Sequence, residues 1–348
     1  MSRAAEAPRR RPMFAAYYVW YSTGDGPHAR WNGWGTRDKP DVLASAARPL
    51  IGAYDSDDRE VVRWHMRLAK AAGIDAFLVS WWGPGTWQDV PRLTETAFER
   101  AVLPVAAEEG FKVALIDETT QFHRDLDEVK RWAVKYLSKY KDNPAYLHID
   151  SKPVYHVYQT SLNPRLTPQT YVELAKHIEA EVGPVHFIVD KISNADNRFH
   201  IPEQWLGLGA GEGDRSVDAF AFYSTFSNFR TWTYEELIGR YKGVVRAAHA
   251  SGAKMMVPVH PGHDNSRLRP GDFFIMPRDE GKTLRGYLRA ARDSGADYIL
   301  VTSWNEWPET TVVEPAATWE DPYCYLKILA EFNGVEFRAP SDPPKRRR

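Results

Sequence analysis

A single cysteine, Cys324, stands among 348 residues. That excludes an internal disulfide framework and any cysteine-rich zinc site. No apolar run approaches the roughly 18 residues that a membrane helix needs. Neither sign of charge is in excess: 45 Lys+Arg against 46 Asp+Glu leave a formal net charge of −1. A nucleic-acid binder would carry a basic surplus. A glycine-rich phosphate loop is also missing. The stretch Tyr21-Ser22-Thr23-Gly24-Asp25-Gly26 has the wrong spacing and no helix pattern behind it. There is no internal repeat and no break in composition, and this length is one that α/β barrels use for one domain.

Residues 1–12 are basic and contain proline, with no apolar signal-peptide core, and are expected to form a disordered extension. As written this predicts a cytoplasmic chain; a trimmed leader would make it secreted or periplasmic. Residues 336–348 read as a disordered tail, leaving 13–335 as the folded unit.

Aromatic residues are abundant, 13% of the chain with 13 Trp and 17 Tyr. Flat rings suit the apolar faces of sugars, and they also suit helix–sheet packing in a large barrel; composition leaves both open. Eight near-continuous apolar runs are the stronger signal: Phe14–Tyr21, Asp75–Trp82, Lys112–Glu118, Pro153–Tyr158, His186–Lys191, Val217–Ser224, Lys254–His260 and Asp297–Trp304. Runs of this kind mark strands buried on both faces. Helical patterns lie between them. Asp57 and Glu60 suggest a capping box before Val61, His65, Leu68 and Ala72, with Gly73 as the stop. Leu126, Val129, Ala133, Tyr136 and Leu137 mark a second helix. Thr167-Pro168 reads as a cap with a first-turn proline, followed by Tyr171, Leu174, Ile178 and Val182. Leu284, Tyr287, Leu288 and Ala291 end at Gly295. The segment from Asn194 to Ser216 reads as a long βα insertion. Eight strands alternating with helices predict an α/β fold, a single (β/α)8 TIM barrel with extended βα loops, over its doubly wound competitor.

In such barrels function sits where the strands end. The ends carry Trp20-Tyr21, Ser80-Trp81-Trp82, Asp117-Glu118, Tyr155-His156 with Tyr158, Asp190-Lys191, Tyr223, His260 through Asn265, and Asn305-Glu306-Trp307-Pro308-Glu309. Carboxylates, aromatics and histidines therefore converge on one rim. The last end is the most informative, because an apolar strand runs straight into two glutamates three residues apart. Two carboxylates on one rim are what glycosidic cleavage requires, although a solvated glutamate pair at a loop start has the same local pattern.

The segment Thr302–Pro315, TSWNEWPETTVVEP, resembles the signature of glycoside hydrolase family 99, the endo-α-mannosidases and endo-α-mannanases, and of its relatives. Gly52–Gly85, Asn143–Tyr158 and Pro261–Pro270 agree in order, so the resemblance spans Phe14 to about Leu326. It implies a (β/α)8 barrel that retains anomeric configuration without an enzymic nucleophile. In that scheme Glu306 is the base that takes the substrate 2-hydroxyl proton, giving a 1,2-anhydro sugar, and Glu309 is the general acid/base. Two departures stand out. Pro308 replaces the histidine common at that place and is expected to reshape the loop. The third-strand block reads Leu115-Ile116-Asp117-Glu118-Thr119 where His-Ile-Glu-Pro is usual.

The expected sugar-binding residues are Tyr18, Tyr21, Trp81, Glu118, Tyr158, Tyr223, His260, His263, Asp264, Arg269, Asn305 and Trp307. The four tyrosines also fit a core role. Trp81 and Trp82 are consecutive on a strand and must face opposite ways, one to the cleft and one under a helix. His-x-x-His-Asp at 260–264 lacks a second cluster at ligand spacing, so no metal and no cofactor are expected, and His65 reads as structural. The expected partner is an oligo- or polysaccharide, with no nucleic acid and no membrane, bound by a monomer that hydrolyses α-mannoside-type glycans internally. Two alternatives remain: a WbsX-like glycosyltransferase of polysaccharide biosynthesis, and a non-catalytic glycan-binding barrel.

Overall fold

In the computed structural model the described residues are 10–84, 90–119, 125–158, 165–191, 199–209, 216–225, 232–340 and 343–344. Eight parallel strands close on themselves: β1 (Met13–Tyr17), β2 (Ala76–Trp81), β3 (Lys112–Asp117), β4 (Lys152–Val157), β5 (His186–Asp190), β6 (Ala219–Ala221), β7 (Lys254–Val259) and β8 (Tyr298–Val301). β1 lies between β2 and β8, with Phe14 opposite Ala76 and Leu300. β3 meets β4 at Ile116–His156, which closes the ring. The expected (β/α)8 barrel is the architecture found, and each of the eight apolar runs supplies one strand.

Strand lengths follow local hydrogen bonding. The first run continues to Tyr21, yet β1 stops at Tyr17 because the Asn305 side chain occupies both main-chain groups of Tyr18. β6 is shorter than its run, and just before it the Asp218 carboxylate accepts the Phe187 N–H, 2.9 Å.

The helices pack outside the ring. α1 (Arg59–Ala71) is capped by Asp58, whose carboxylate accepts the Glu60 N–H. The expected cap Asp57 instead approaches His28, 3.1 Å, because the helix begins one residue later. Thr167 caps α5 (Pro168–Val182) with proline in the first turn, as its sequence implies. Gly295 ends α8 (Lys282–Ser294) with φ +82°, a conformation glycine adopts without strain. Between β2 and β3 the helix Val90–Ala97 widens into a π turn, Phe98–Val102, and resumes over Leu103–Glu109. The widened turn admits Pro104, which disguised this helix in the sequence. Of the expected insertion, Glu203–Leu206 forms a short helix, while 194–198 and 210–215 lie outside the described residues.

Side chains at alternate strand positions face the helices. Tyr17 and Phe77 stack there at 4.5 Å, with Trp304 5.1 Å from Phe77; burying each such ring contributes about 2–3 kcal/mol. Tyr18, next after Tyr17, and Ser80, three positions after Phe77, turn the other way, inward at the mouth. At the chain ends, Arg10 donates to the Gly73 carbonyl, 2.7 Å, and Phe337 lies 5.9 Å from the Tyr323 ring. Arg10 and Phe337 thus make contacts with the barrel, while 1–9, 341–342 and 345–348 of the expected extensions lie outside the described residues. Among the described residues no helix is long and apolar enough to cross a membrane.

Candidate active site

The site is built on the segment that leaves β8. Ser303 Oγ accepts the Glu306 N–H, 2.7 Å, turning the chain sharply inward. The Thr310 N–H then closes a turn onto the Trp307 carbonyl, 3.0 Å. Pro308 falls at the second position of that turn, where its fixed φ belongs, so it fits the loop and leaves it closed. Asp264 donates its N–H to the Glu309 carbonyl, 2.9 Å, and ties this turn to the loop after β7.

Glu306 is buried, and its Oε2 has no hydrogen-bond partner among the described residues. Burial raises its carboxyl well above the usual range, and the charges of Glu309 and Glu118 push in the same direction. The Glu309 side chain is about a third exposed, 33%. Its carboxyl is also raised, chiefly by desolvation, against the opposing pull of the Arg269 guanidinium. Two adjacent carboxyls are therefore held at elevated proton affinity at one mouth, an arrangement suited to exchanging a proton at neutral pH.

Around them stand Tyr18, Tyr158, Tyr223 and Glu118. Tyr18 and Tyr223 share a short hydroxyl–hydroxyl contact, and Tyr158 meets the Tyr223 ring edge-on at 5.3 Å. Burial raises all three phenols, with the neighbouring carboxylates adding to the effect. Glu118 accepts the Ser80 hydroxyl proton, while Ser80 Oγ accepts from the Trp82 indole, 3.1 Å. His263 Nε2 lies 3.9 Å from Glu309, and burial lowers its imidazole pKa. These residues, with Asp264 and Arg269, form the convergence expected from the sequence.

Five of the expected ligands do something else. Trp81 is buried against Tyr136 of the helix Leu126–Tyr140, rings 4.4 Å apart. The strand's alternation instead sends Trp82 to the mouth, perpendicular to Trp20 at 5.3 Å. His260 is enclosed beneath Tyr287 of α8, 5.1 Å, and burial drives its pKa down to about 3. Asn305 has no exposed surface; its amide accepts the Tyr18 N–H at 2.7 Å and donates to the Tyr18 carbonyl at 2.8 Å. Tyr21 donates to the Asn305 carbonyl, 2.6 Å, and accepts the Trp307 N–H, 3.1 Å. The Trp307 indole points away to Glu314, 2.9 Å. These five hold the scaffold, and their place in a signature could not reveal which way they face.

Glu314 itself was not singled out from the sequence. It is fully buried, accepts from Tyr54 and Trp307, and lies 3.2 Å from His65 Nε2. A carboxylate inside the apolar stretch Val312–Ala316 was the available signal, since a buried charge must be paired. Two surface grooves of about 770 and 980 Å³ flank Trp31 and contain none of the site residues; they offer volume without this chemistry.

The model of Glycosyl hydrolase family 99 matches residues 13–182, and that of Glycosyltransferase WbsX matches 113–328. A human glycoprotein endo-alpha-1,2-mannosidase-like protein is 25% identical, covering 91% of this chain and 71% of its own. A Xenopus laevis glycoprotein endo-alpha-1,2-mannosidase is 24% identical over 89% of this chain and 71% of its own. Among solved structures, a family 99 endo-alpha-mannosidase from Bacteroides thetaiotaomicron superposes with a TM-score of 0.71 at 25% identity, covering 92% of this chain and 95% of that one.

Proposed function

The chain belongs to the family of Glycosyltransferase WbsX and is similar to the endo-α-mannosidases of glycoside hydrolase family 99, and from that premise we propose that it cleaves α-mannoside-type glycans internally with retention of configuration. The observation that carries this reading is the pair Glu306 and Glu309, both with raised carboxyls on one rim, the first with a buried oxygen that has no hydrogen-bond partner among the described residues.

In the proposed sequence Glu306 takes the proton of the substrate 2-hydroxyl, and O2 attacks C1. The C1–oxygen bond breaks as Glu309 protonates the departing oxygen, leaving a 1,2-anhydro sugar. Glu309 then deprotonates a water that attacks C1, the C1–O2 bond of the anhydro sugar breaks, and Glu306 returns its proton to O2. Two inversions at C1 give net retention, a substrate-assisted exception to the two-carboxylate pattern. Tyr18, Tyr158, Tyr223, Glu118 and Trp82 would hold the sugar.

Glu306 is the more buried and lies in the field of Glu118, whereas Arg269 supports charge on Glu309. The substrate 2-hydroxyl, by donating to Glu306, is what supports its ionised form, so protonation and binding are linked.

The test is incubation of the protein with α-linked mannan and glucan oligosaccharides, followed by NMR of the products. An α-configured product released first is expected. Glu306→Gln and Glu309→Gln should each abolish turnover while sugar binding survives, and full activity in either variant removes that residue from its role. The description of the model over 113–328 supports a second reading, a glycosyltransferase in which an acceptor hydroxyl replaces water. Saturation-transfer NMR with nucleotide sugars separates the two, specific binding favouring the transferase.

A further inference from the structure

Behind the Glu309 turn lies a cation that the proposed reaction does not use. Arg278 is partly buried, with its Nη1 closed off from solvent. Its Nη2 donates to the carbonyls of Thr310, 2.6 Å, and Val312, 2.9 Å. The guanidinium carbon lies 4.8 Å from the Trp319 ring centroid and 4.6 Å from that of Tyr325, contacts that a planar cation makes well and an ammonium makes poorly. Its stem runs against Gly262, where a Cβ would come within 2.5 Å of Arg278 Cγ. One residue further on, His263 approaches Glu309, and the next residue, Asp264, holds the Glu309 carbonyl. Thr310 has φ +52°, a conformation that β-branched residues avoid, so something outside the turn must keep it there.

We propose that Arg278 is a positioning residue for Glu309. By gathering the carbonyl of Thr310, the last residue of the turn, and that of Val312 just beyond it onto one nitrogen, it fixes the backbone from which the Glu309 carboxyl reaches the departing oxygen, and it does so without touching substrate. The inference rests on the reading of Glu309 as the general acid. It separates from a general stabilising role because it concerns the two proton transfers assigned to Glu309, of which only protonation of the leaving group acts before the first bond cleavage, and it leaves the Glu306 step intact.

The experiment compares the wild-type chain with Arg278→Met and Arg278→Lys in two measurements. Amide hydrogen exchange over 303–314 and at Asp264 should accelerate in Arg278→Met while the barrel strands keep their protection. With an α-mannobioside of a simple alcohol, kcat should fall on the order of 100-fold, the cost of a small misplacement of a catalytic group. With α-mannobiosyl fluoride, whose departure needs no general acid, kcat/KM, which reports only the steps up to the first bond cleavage, should stay near the wild-type value while that of the alkyl glycoside falls with its kcat. Arg278→Lys should give the same pattern in weaker form, and it carries the comparison if Arg278→Met does not fold. Unchanged exchange, or equal losses on both donors, overturns the proposal. If wild-type protein cleaves neither donor, the proposed reaction fails, and exchange alone then decides whether Arg278 holds the turn.

Discussion

Replacing Asn305 with alanine separates a scaffold residue from a sugar ligand. The Asn305 side chain copies the edge of a strand, accepting from the Tyr18 N–H and donating to the Tyr18 carbonyl, and it also donates to the Tyr54 hydroxyl at 3.0 Å. The site is closed to water, so each main-chain group left without a partner costs about 1–3 kcal/mol. Tyr54 loses less, because its hydroxyl still donates to Glu314. The expected loss is therefore about 4 kcal/mol, a large part of a typical total of about 5–15 kcal/mol. At about 2 °C per kcal/mol for a chain of this size, Tm should fall by about 8 °C. Calorimetry and urea unfolding would measure it, with KM followed below the transition. A Tm within about 1 °C of wild type, accompanied by a raised KM, would refute the scaffold role and return Asn305 to the binding site.

The Glu306 carboxyl is raised in the folded chain, so its contribution to stability is fully present below the ordinary unfolded value of about 4.3 and is lost as pH rises through the folded value. Glu306→Gln should therefore match wild type in Tm near pH 4 and exceed it increasingly at higher pH; a constant difference would contradict this. Arg269 lowers the Glu309 carboxyl, so Arg269→Gln should shift the alkaline limb of the kcat profile upward, and a downward shift would exclude the assigned field. Trp81→Ala should cost about 3–5 kcal/mol of stability as a buried ring against Tyr136, measured by denaturant unfolding. Trp82→Ala should instead raise KM with little change in Tm; the reverse pattern would mean the two rings had been assigned to the wrong faces.

Much of the architecture was legible because the strands of a parallel barrel are buried on both sides and must be apolar almost throughout. Every one of the eight runs supplied a strand. The helix from Val90 to Glu109 escaped notice, since two prolines and a π turn break the periodicity on which such a reading depends. In the site, Glu306 and Glu309 were visible as charges placed where an apolar strand ends, and Glu118 and the three clustered tyrosines as residues at other strand ends.

Which way each side chain faces was a different matter. Trp81 and Trp82 had to point oppositely, but the direction of the barrel axis, which decides between them, exists only after the ring has closed through Ile116 and His156. Asn305 and Tyr18 are 287 positions apart in the chain, and their double hydrogen bond forms only because β1 and β8 are neighbours. Burial likewise belongs to the assembled molecule: the same glutamates in an open chain would titrate as ordinary carboxyls, and enclosure at the barrel mouth is what raises them. Local composition thus determined the strands, their order and the kind of chemistry at their ends. Closure of the barrel decided which of those residues meet at the mouth and which ones brace it.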